Sequence, residues 1–183
     1  PSRELLRVLG DGYLERFAYA ADGVRAMMAD LVAVLAARAP RAGLSVEESL
    51  AHRWSGPEIF LIVDDADRLP PGMDSPLEAR VAGASTAALV AAAADVGLRV
   101  LYTRRFGGWA GAYRADPLVA AMLQANAPLL VMDSDADAGF LRGRFKGHPM
   151  PAGRGYLLTG AESGRYVQVA TVPMTAGGGR PGA

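Results

Sequence analysis

The chain has 183 residues, a formal net charge of +0 and a sequence pI of about 7.3, which argues against a general affinity for nucleic acid or acidic membranes. It contains no cysteine and only two histidines, far apart, so disulfides and thiolate metal sites are excluded. No apolar run reaches the roughly 18 residues of a membrane span, and no signal peptide is evident. The length suits one α/β domain, and a start at Pro1 instead of Met suggests an excerpt from a longer polypeptide.

The first part of the chain is predicted to be helical. Asp22 is a candidate N-cap for a helix over residues 23–39, where apolar residues recur at helical spacing. Ser45 and Glu48 match a capping box, in which each side chain bonds the backbone N–H of the other residue. This pattern predicts a second, short helix over residues 45–50.

Residues 56–65 read Gly-Pro-Glu-Ile-Phe-Leu-Ile-Val-Asp-Asp. The apolar run is too short for a helix and apolar on both faces, which predicts a strand of a parallel sheet buried on both sides. Because ligands of open α/β sheets bind beyond the carboxyl ends of the strands, Asp64 and Asp65 stand where an acidic pair could hold Mg²⁺ beside a nucleotide. A strand followed by an acidic turn without a ligand explains the pattern equally well, and the residues leave both interpretations open.

Helices and strands are predicted to alternate through the remainder of the chain. The predicted elements are a helix over 77–96 ended by Gly97, a strand over 98–103, a helix over 110–125 with Pro117 near its true start, a strand over 128–132, a short helix over 133–143, and a β-hairpin of 153–159 and 165–170. This order implies one three-layer α/β domain over residues 1–173. Residues 174–183 are rich in Gly and Pro, and we expect a disordered tail.

Two catalytic motifs are absent from the sequence. The phosphate-binding loop G-x-x-x-x-G-K-[ST] does not occur, and the single lysine, Lys146, lacks both the glycine and the Ser/Thr of that pattern. The G-x-S-x-G elbow of a serine hydrolase is also missing. The sequence therefore contains at most half of a nucleotide site.

Six short motifs follow one another in a fixed order. They read W-S-G-P at 54–57, D-D-A-D at 64–67, G-L-R-V-L-Y-T-R-R-F-G-G at 97–108, M-D-S at 132–134, P-A-G-R-G at 151–155 and V-Q-V-A at 167–170. Their order and spacing resemble the C-terminal FtsK/SpoIIIE-type ATPase domain of EccC, a component of type VII secretion systems. The resemblance covers roughly residues 5–173, nearly the whole chain.

The resemblance implies a three-layer RecA-like P-loop NTPase fold, truncated so that its first strand, phosphate loop and following helix precede Pro1, with a C-terminal β-hairpin. It implies ATP and Mg²⁺ as ligands of the complete domain. Asp64 is matched to the Mg²⁺ ligand and Asp65 to the position of a catalytic glutamate. Arg104 and Arg105 are matched to the sensor position beside the nucleotide, although ion pairs with the acidic turn are an open alternative. Aspartate is one methylene shorter than glutamate and the phosphate loop is missing, so we expect no ATP hydrolysis by this chain.

The function implied by the resemblance is that of a degenerate ATPase domain of a secretion motor, which binds nucleotide and helps to recognise substrates. Implied partners are WXG100-type secreted proteins, captured through a C-terminal signal, and neighbouring ATPase domains of the same motor; a homo-oligomer is left open. The implied location is the cytoplasmic face of the inner membrane within a secretion complex, and no nucleic acid is expected. Two other hypotheses remain, an FtsK-type DNA translocase and a nucleotide-free protein-interaction module on a RecA-like scaffold.

Overall fold

A computed structural model describes residues 14–40, 43–70, 74–105, 107, 109, 115–134, 140–142, 145–160 and 164–170. The chain forms two compact units, Pro1–Ala127 and Pro128–Ala183. In the part of the chain that the structure describes, no helix is long and apolar enough to cross a bilayer. The predicted tail over 174–183 lies outside the described residues.

The helices of the first unit are α1 (Ala21–Arg38), α2 (Val46–Ala51), α3 (Thr86–Ala91), α4 (Ala93–Val96) and α5 (Pro117–Gln124). The N-cap of α1 is Ala20, which makes no side-chain cap hydrogen bond, so the prediction of Asp22 as the cap was wrong. Asp22 instead lies in the first turn, where its negative charge interacts favourably with the positive end of the helix dipole. The capping box of α2 is confirmed, with Ser45 N–H donating to Glu48 Oε2 at 2.8 Å and Glu48 N–H donating to Ser45 Oγ at 3.2 Å.

The two predicted strands around the acidic turn are confirmed as β1 (Ile59–Val63) and β4 (Leu98–Tyr102). They pair in parallel, with Ile59 opposite Leu98 and Val63 opposite Tyr102. The prediction that β1 is buried on both faces was wrong, because Phe60 is 68% exposed and Leu101 is 58% exposed. Side chains alternate along a strand, and the described residues pack against only one of the two faces.

The predicted helix over residues 77–96 begins too early. In its first half, β2 (Arg80–Val81) and β3 (Ala84–Ser85) form a small antiparallel hairpin. Its turn residues, Ala82 and Gly83, both have positive φ angles, 49° and 86°, as hairpin turns of type I′ require. The Ser85 side chain then accepts a hydrogen bond from Ala88 N–H and so caps α3, which ends the extended segment.

Two other helix boundaries agree with the sequence. Gly97 adopts the left-handed conformation with φ 68° directly after α4, as predicted for a C′ glycine. Pro117 is the first residue of α5, and Asp116 caps this helix by accepting hydrogen bonds from Leu118 N–H and Val119 N–H.

The hydrophobic core of the first unit lies between α1, the inner face of the β1–β4 pair, and helices α3 to α5. The buried side chains that these elements contribute include Val24, Met28, Val32, Leu35, Leu61, Val63, Leu89, Val90, Val96, Leu98 and Leu118. The core therefore holds β1 and β4 from one side and fixes the position of their carboxyl ends.

The second unit is built on an antiparallel sheet. Its strands are β5 (Leu129–Val131), β8 (Arg154–Leu158) and β9 (Arg165–Gln168), in the spatial order β5–β8–β9. The predicted strand over 128–132 and the predicted hairpin are thereby confirmed. The helix predicted over 133–143 was wrong at Phe140–Arg142, which forms β6 and pairs with β7 (Phe145–Lys146), while residues 135–139 lie outside the described residues.

Candidate functional site

The carboxyl ends of β1 and β4 bring Asp64 and Thr103 side by side. Thr103 N–H donates to the carbonyl of Val63 at 2.8 Å and continues the parallel ladder one residue past the strands. The Thr103 hydroxyl donates to Asp64 Oδ1 at 2.8 Å and accepts from Asp65 N–H at 3.1 Å. A single hydroxyl thus fixes both the Asp64 carboxylate and the start of the acidic turn.

The acidic turn itself is tightly held by the backbone. Asp65 has a left-handed conformation with φ 52°, which aspartate tolerates better than most residues. It is followed by a one-turn 3₁₀ helix, Ala66–Arg68, and Ala66 N–H donates to the carbonyl of Thr103 at 2.9 Å. The Asp65 carboxylate lies 3.4 Å from Arg68 Nε, so it already has a cationic neighbour within the turn.

The third carboxylate of the turn, Asp67, is bound by Arg105 in the segment that follows β4. Arg105 N–H donates to Asp67 Oδ1 at 3.0 Å, and Arg105 Nε lies 3.8 Å from Asp67 Oδ2. The hydrogen bond from the Arg105 backbone N–H is the main reason that the pKa of Asp67 is lowered, and the positive charges of Arg105 and Arg104 lower it further. Arg105 therefore forms the ion pair with the acidic turn that the sequence left open as an alternative. Contact of Arg104 or Arg105 with a nucleotide stays a prediction.

A partly buried polar cluster includes Tyr102, the last residue of β4. Tyr102 OH donates to Asp116 Oδ2 at 3.0 Å, and Asp116 is only 7% exposed. Burial, and then the Asp116 charge, raise the pKa of Tyr102. Burial also raises the pKa of Glu78, whose Oε2 has no hydrogen-bond partner among the described residues. Sequence analysis had not singled out these residues, although the Asp116-Pro117 pair is a recognisable helix start.

The donor chemistry at the strand end fits a Mg²⁺-nucleotide in part. Mg²⁺ prefers carboxylate, phosphate and water oxygens and is commonly held by one or two carboxylates together with substrate phosphates. Asp64 supplies a carboxylate in this position, whereas no phosphate loop occurs in the sequence. Among the described residues there is no group of three or more His, Asp or Glu side chains that could hold a metal ion.

Comparison with known proteins shows which family the chain belongs to. No family model matches the chain. The ESX-5 secretion system protein EccC5 of Mycobacterium marinum is 58% identical over 171 residues, which is 93% of this chain and 12% of that protein. A solved structure described as an ATPase is 56% identical with a TM-score of 0.80, and the match covers 94% of this chain and 61% of that one. The chain belongs with the EccC ATPase domains of type VII secretion systems.

A solved structure of an EccC protein bears on function. It is Thermomonospora curvata EccC (ATPases 2 and 3) in complex with a signal sequence peptide, 28% identical with a TM-score of 0.78. The match covers 94% of this chain and 30% of that one. The RecA-like fold of the EccC ATPases is thus the fold of this chain. The chain spans 12% of the length of the EccC5 relative.

The first motif of the EccC resemblance, W-S-G-P, anchors the start of β1. The Trp54 indole N–H donates to the carbonyl of Pro57 at 2.9 Å, and the Arg38 guanidinium lies 4.2 Å from the ring centroid. The ring packs so closely on Gly97 that a Cβ at that position would lie 2.3 Å from Trp54 Cδ1. These contacts join the residues that precede β1 to those that precede β4.

The last two motifs of the EccC resemblance, P-A-G-R-G and V-Q-V-A, form one clasp in the second unit. Arg154 Nε donates to Gln168 Oε1 at 2.9 Å, and Arg154 also donates to Tyr166 OH at 3.2 Å. Gln168 Nε2 in turn donates to the carbonyl of Gly153 at 3.1 Å. In this structure, therefore, the polar side chains of both motifs bind one another at the open end of the hairpin.

The residue that sequence reasoning missed at the site is Thr103. It stands directly before Arg104 and Arg105, to which the sensor role was assigned. The sequence could have indicated Thr103 by its position one residue beyond β4, because the carboxyl ends of parallel strands lie at the same edge of a sheet. The structure brings the Thr103 hydroxyl into hydrogen-bond contact with Asp64.

Proposed function

We propose that this chain forms part of an EccC ATPase domain that binds a Mg²⁺-nucleotide through Asp64 and serves mainly in substrate recognition and regulation during protein secretion. The observation that carries the proposal is the Asp64 carboxylate, which Thr103 fixes at the carboxyl end of a parallel strand. The similarity to EccC5 supports the secretion context.

In the proposed site, Asp64 would hold Mg²⁺, and Thr103 keeps its carboxylate in position. When bound, Mg²⁺ would neutralise phosphate charge, which is a large part of phosphoryl-transfer catalysis. Asp65 is a poor candidate for rapid activation of water, because its carboxylate lies beside Arg68 and its side chain is one methylene shorter than glutamate. We therefore expect nucleotide binding with slow turnover or none.

Arg104 and Arg105 are proposed to face the nucleotide phosphates. The Arg105 side chain is 73% exposed, and its backbone N–H already binds Asp67. Its guanidinium can consequently turn toward a phosphate without breaking the backbone contact to the acidic turn. Exposed ion pairs contribute little, about 0–1 kcal/mol, so the Arg105–Asp67 pair does not prevent this movement.

For partners, we propose secreted proteins of the WXG100 type and neighbouring ATPase domains of the same motor. The signal sequence peptide bound to the Thermomonospora EccC ATPases supports the first of these. A helical tail would dock through apolar anchors spaced one turn apart. The proposed location, the cytoplasmic face of the membrane, follows from the same family context.

Calorimetric titration of an EccC ATPase domain that carries this sequence tests the nucleotide site. Asp64→Asn should weaken the binding of ATP in the presence of Mg²⁺ by roughly tenfold or more, because a charged metal ligand is lost. Asp95→Asn is the matched control, since Asp95 forms a surface ion pair with Arg53 before the opposite end of β4. Equal affinity of the Asp64→Asn variant and the wild type would refute the proposed ligand.

A further inference from the structure

The two arginines that follow β4 are held in different ways. The Arg105 side chain is 73% exposed and pairs with the Asp67 carboxylate of the acidic turn. Arg104 is half-buried and lies two residues beyond Tyr102. Side chains alternate along an extended chain, and Thr103 continues the ladder of β4, so the side chains of Tyr102 and Arg104 lie on the same side. The nearest polar group on that side is the Tyr102 hydroxyl.

The Tyr102 hydroxyl binds a carboxylate that the start of α5 holds in place. Asp116 is 7% exposed, and its Oδ1 accepts hydrogen bonds from Leu118 N–H at 3.0 Å and Val119 N–H at 3.4 Å. Its other oxygen, Oδ2, accepts from Tyr102 OH at 3.0 Å. Because a carboxylate only accepts hydrogen bonds, the proton of the Tyr102 hydroxyl points to Asp116.

The oxygen of the same hydroxyl is left to accept a hydrogen bond. A phenolic oxygen can accept as well as donate, whereas a guanidinium only donates. Burial, and then the charge and hydrogen bond of Asp116, raise the pKa of Tyr102, while the charge of Arg104 and a hydrogen bond from its guanidinium act in the opposite direction. The hydroxyl therefore keeps its proton and binds both groups at once, as a donor to Asp116 and as an acceptor from Arg104.

A neutral acceptor orients a cation without cancelling its charge. If Arg104 bound the Asp116 carboxylate directly, the ion pair would compensate its positive charge. Instead the Tyr102 hydroxyl links the two groups, so Arg104 is oriented and its charge stays available to an anion. A side chain that is already ordered loses less conformational freedom on binding, and a guanidinium suits phosphate oxygens in particular.

We infer that Tyr102 and Asp116 are positioning residues for Arg104, which they hold ready for the phosphates of the bound nucleotide. The inference rests on the proposed function, since it takes the strand-end site to bind Mg²⁺-nucleotide, and it names the residues that orient one of the two arginines. One chain of hydrogen bonds, from Asp116 through Tyr102 to Arg104, then connects the start of α5 to the nucleotide site.

Calorimetric titration of ATP with Mg²⁺ into an EccC ATPase domain that carries this sequence tests the inference. Tyr102→Phe keeps the ring and removes the hydroxyl, so the affinity should fall roughly three- to tenfold. Tyr166→Phe is the matched control, because Tyr166 OH accepts from Arg154 at 3.2 Å in the second unit, to which no residue of the proposed site belongs. This control should keep the wild-type affinity, and an equal loss there would overturn the inference.

Asp116→Asn is a second variant, and it keeps the helix cap. Asparagine caps helices as well as aspartate does, and its oxygen can still accept from the N–H groups of Leu118 and Val119. The new amide nitrogen then faces the Tyr102 hydroxyl as a donor, so the hydroxyl proton turns away and Arg104 loses its acceptor. We expect a loss of affinity similar to that of Tyr102→Phe. Wild-type affinity of either variant would overturn the inference.

A double-mutant cycle distinguishes positioning from a general structural effect. Arg104→Ala should lower the affinity at least about tenfold, and the further change Tyr102→Phe should then alter it less than about twofold, because the side chain that Tyr102 positions is gone. Additive losses, or wild-type affinity of Arg104→Ala, would overturn the inference.

Asp64→Asn separates this inference from the proposed function. If Asp64→Asn weakens the binding of nucleotide and Tyr102→Phe does not, the inference alone fails. If Asp64→Asn binds nucleotide like the wild type, the proposed metal ligand itself is refuted.

Discussion

Thr103 controls the geometry of the candidate site at the scale of single residues. Its hydroxyl joins the Asp64 carboxylate to the backbone of the acidic turn. A threonine at the end of one strand therefore positions a carboxylate at the end of the next. This role depends on the register in which β1 and β4 pair. No local sequence pattern determines that register.

Replacement of Thr103 separates this role from simple packing. Thr103→Val keeps the shape of the side chain and removes both hydrogen bonds, so we expect the free energy of unfolding to fall by about 1 kcal/mol. In an EccC ATPase domain, the affinity for Mg²⁺-nucleotide should fall roughly tenfold, because Asp64 loses its fixed orientation. Thr103→Ser retains the hydroxyl and should behave like the wild type. If calorimetry gives the same affinity for the Val and Ser variants, Thr103 does not position Asp64.

The partly buried carboxyl of Glu78 predicts how the free energy of unfolding changes with pH. Burial and the charge of Asp116 raise its pKa above the ordinary 4.5, whereas Arg80 and the Ala87 N–H oppose this shift. Above pH 4.5 the unfolded state loses the Glu78 proton first, so the native state binds more protons. The contribution of Glu78 to the free energy of unfolding therefore decreases as pH rises from 4.5 to the folded-state pKa.

Urea unfolding at several pH values checks this sign. Glu78→Gln should flatten the decrease in stability above pH 4.5. Glu58→Gln is the opposite control, because Arg99 lowers the pKa of Glu58, and its contribution is lost only as pH falls below 4.5. An unchanged slope for Glu78→Gln above that pH would show that Glu78 is solvated in the folded protein.

At the scale of elements, the contact between Trp54 and Gly97 joins the segments that precede β1 and β4. Gly97→Ala introduces a Cβ 2.3 Å from Trp54 Cδ1 at a position with φ 68°, so it combines steric overlap with backbone strain. We expect the free energy of unfolding to fall by about 2–4 kcal/mol. Gly83→Ala is the matched control, because Gly83 has φ 86° and no atom within 4 Å of the added Cβ. Strain alone should cost about 1–2 kcal/mol there.

A double-mutant cycle isolates the steric part of this effect. In a Trp54→Ala background the indole is gone, so Gly97→Ala should cost about 1 kcal/mol less than in the wild type. Urea unfolding of the four proteins measures the coupling. Additive effects of the two substitutions would contradict the steric contact between Trp54 and Gly97.

The elements that the sequence predicted well are those with strong local signals. The capping box at Ser45, the proline at the start of α5 and the apolar runs of β1 and β4 each require one conformation nearly regardless of context. The β2–β3 hairpin was missed because alanine-rich sequence favours a helix, and the positive φ of Ala82 has no sequence signature of its own. The exposure of Phe60 was also unpredictable, since apolar composition shows what a strand can bury and cannot show which neighbour covers it.

At the candidate site, sequence reasoning placed the carboxylates but not their partners. Asp64 and Asp65 do stand at the end of β1, as predicted. The pairing of Asp65 with Arg68 depends on the 3₁₀ turn, and that of Asp67 with Arg105 depends on β4, so both are tertiary outcomes. The roles of these carboxylates toward Mg²⁺ and nucleotide stay predictions.

At the scale of the whole molecule, we propose a protein-secretion ATPase domain and not a DNA motor. The formal net charge of +0 provides no general attraction for a polyanion. DNA binding through phosphates releases counterions, so its affinity falls steeply with salt. Binding of a helical secretion signal through apolar anchors depends far less on salt, because burial of apolar surface supplies most of the affinity.

Fluorescence anisotropy across a salt series tests this central claim most directly. An EccC polypeptide that carries this sequence is titrated against a labelled C-terminal peptide of a cognate secreted protein and against a labelled DNA duplex. We predict peptide binding whose affinity changes less than about tenfold between 50 and 200 mM salt, with weak or no duplex binding. Tight duplex binding that falls roughly 10³-fold over the same range, without peptide binding, would contradict the account.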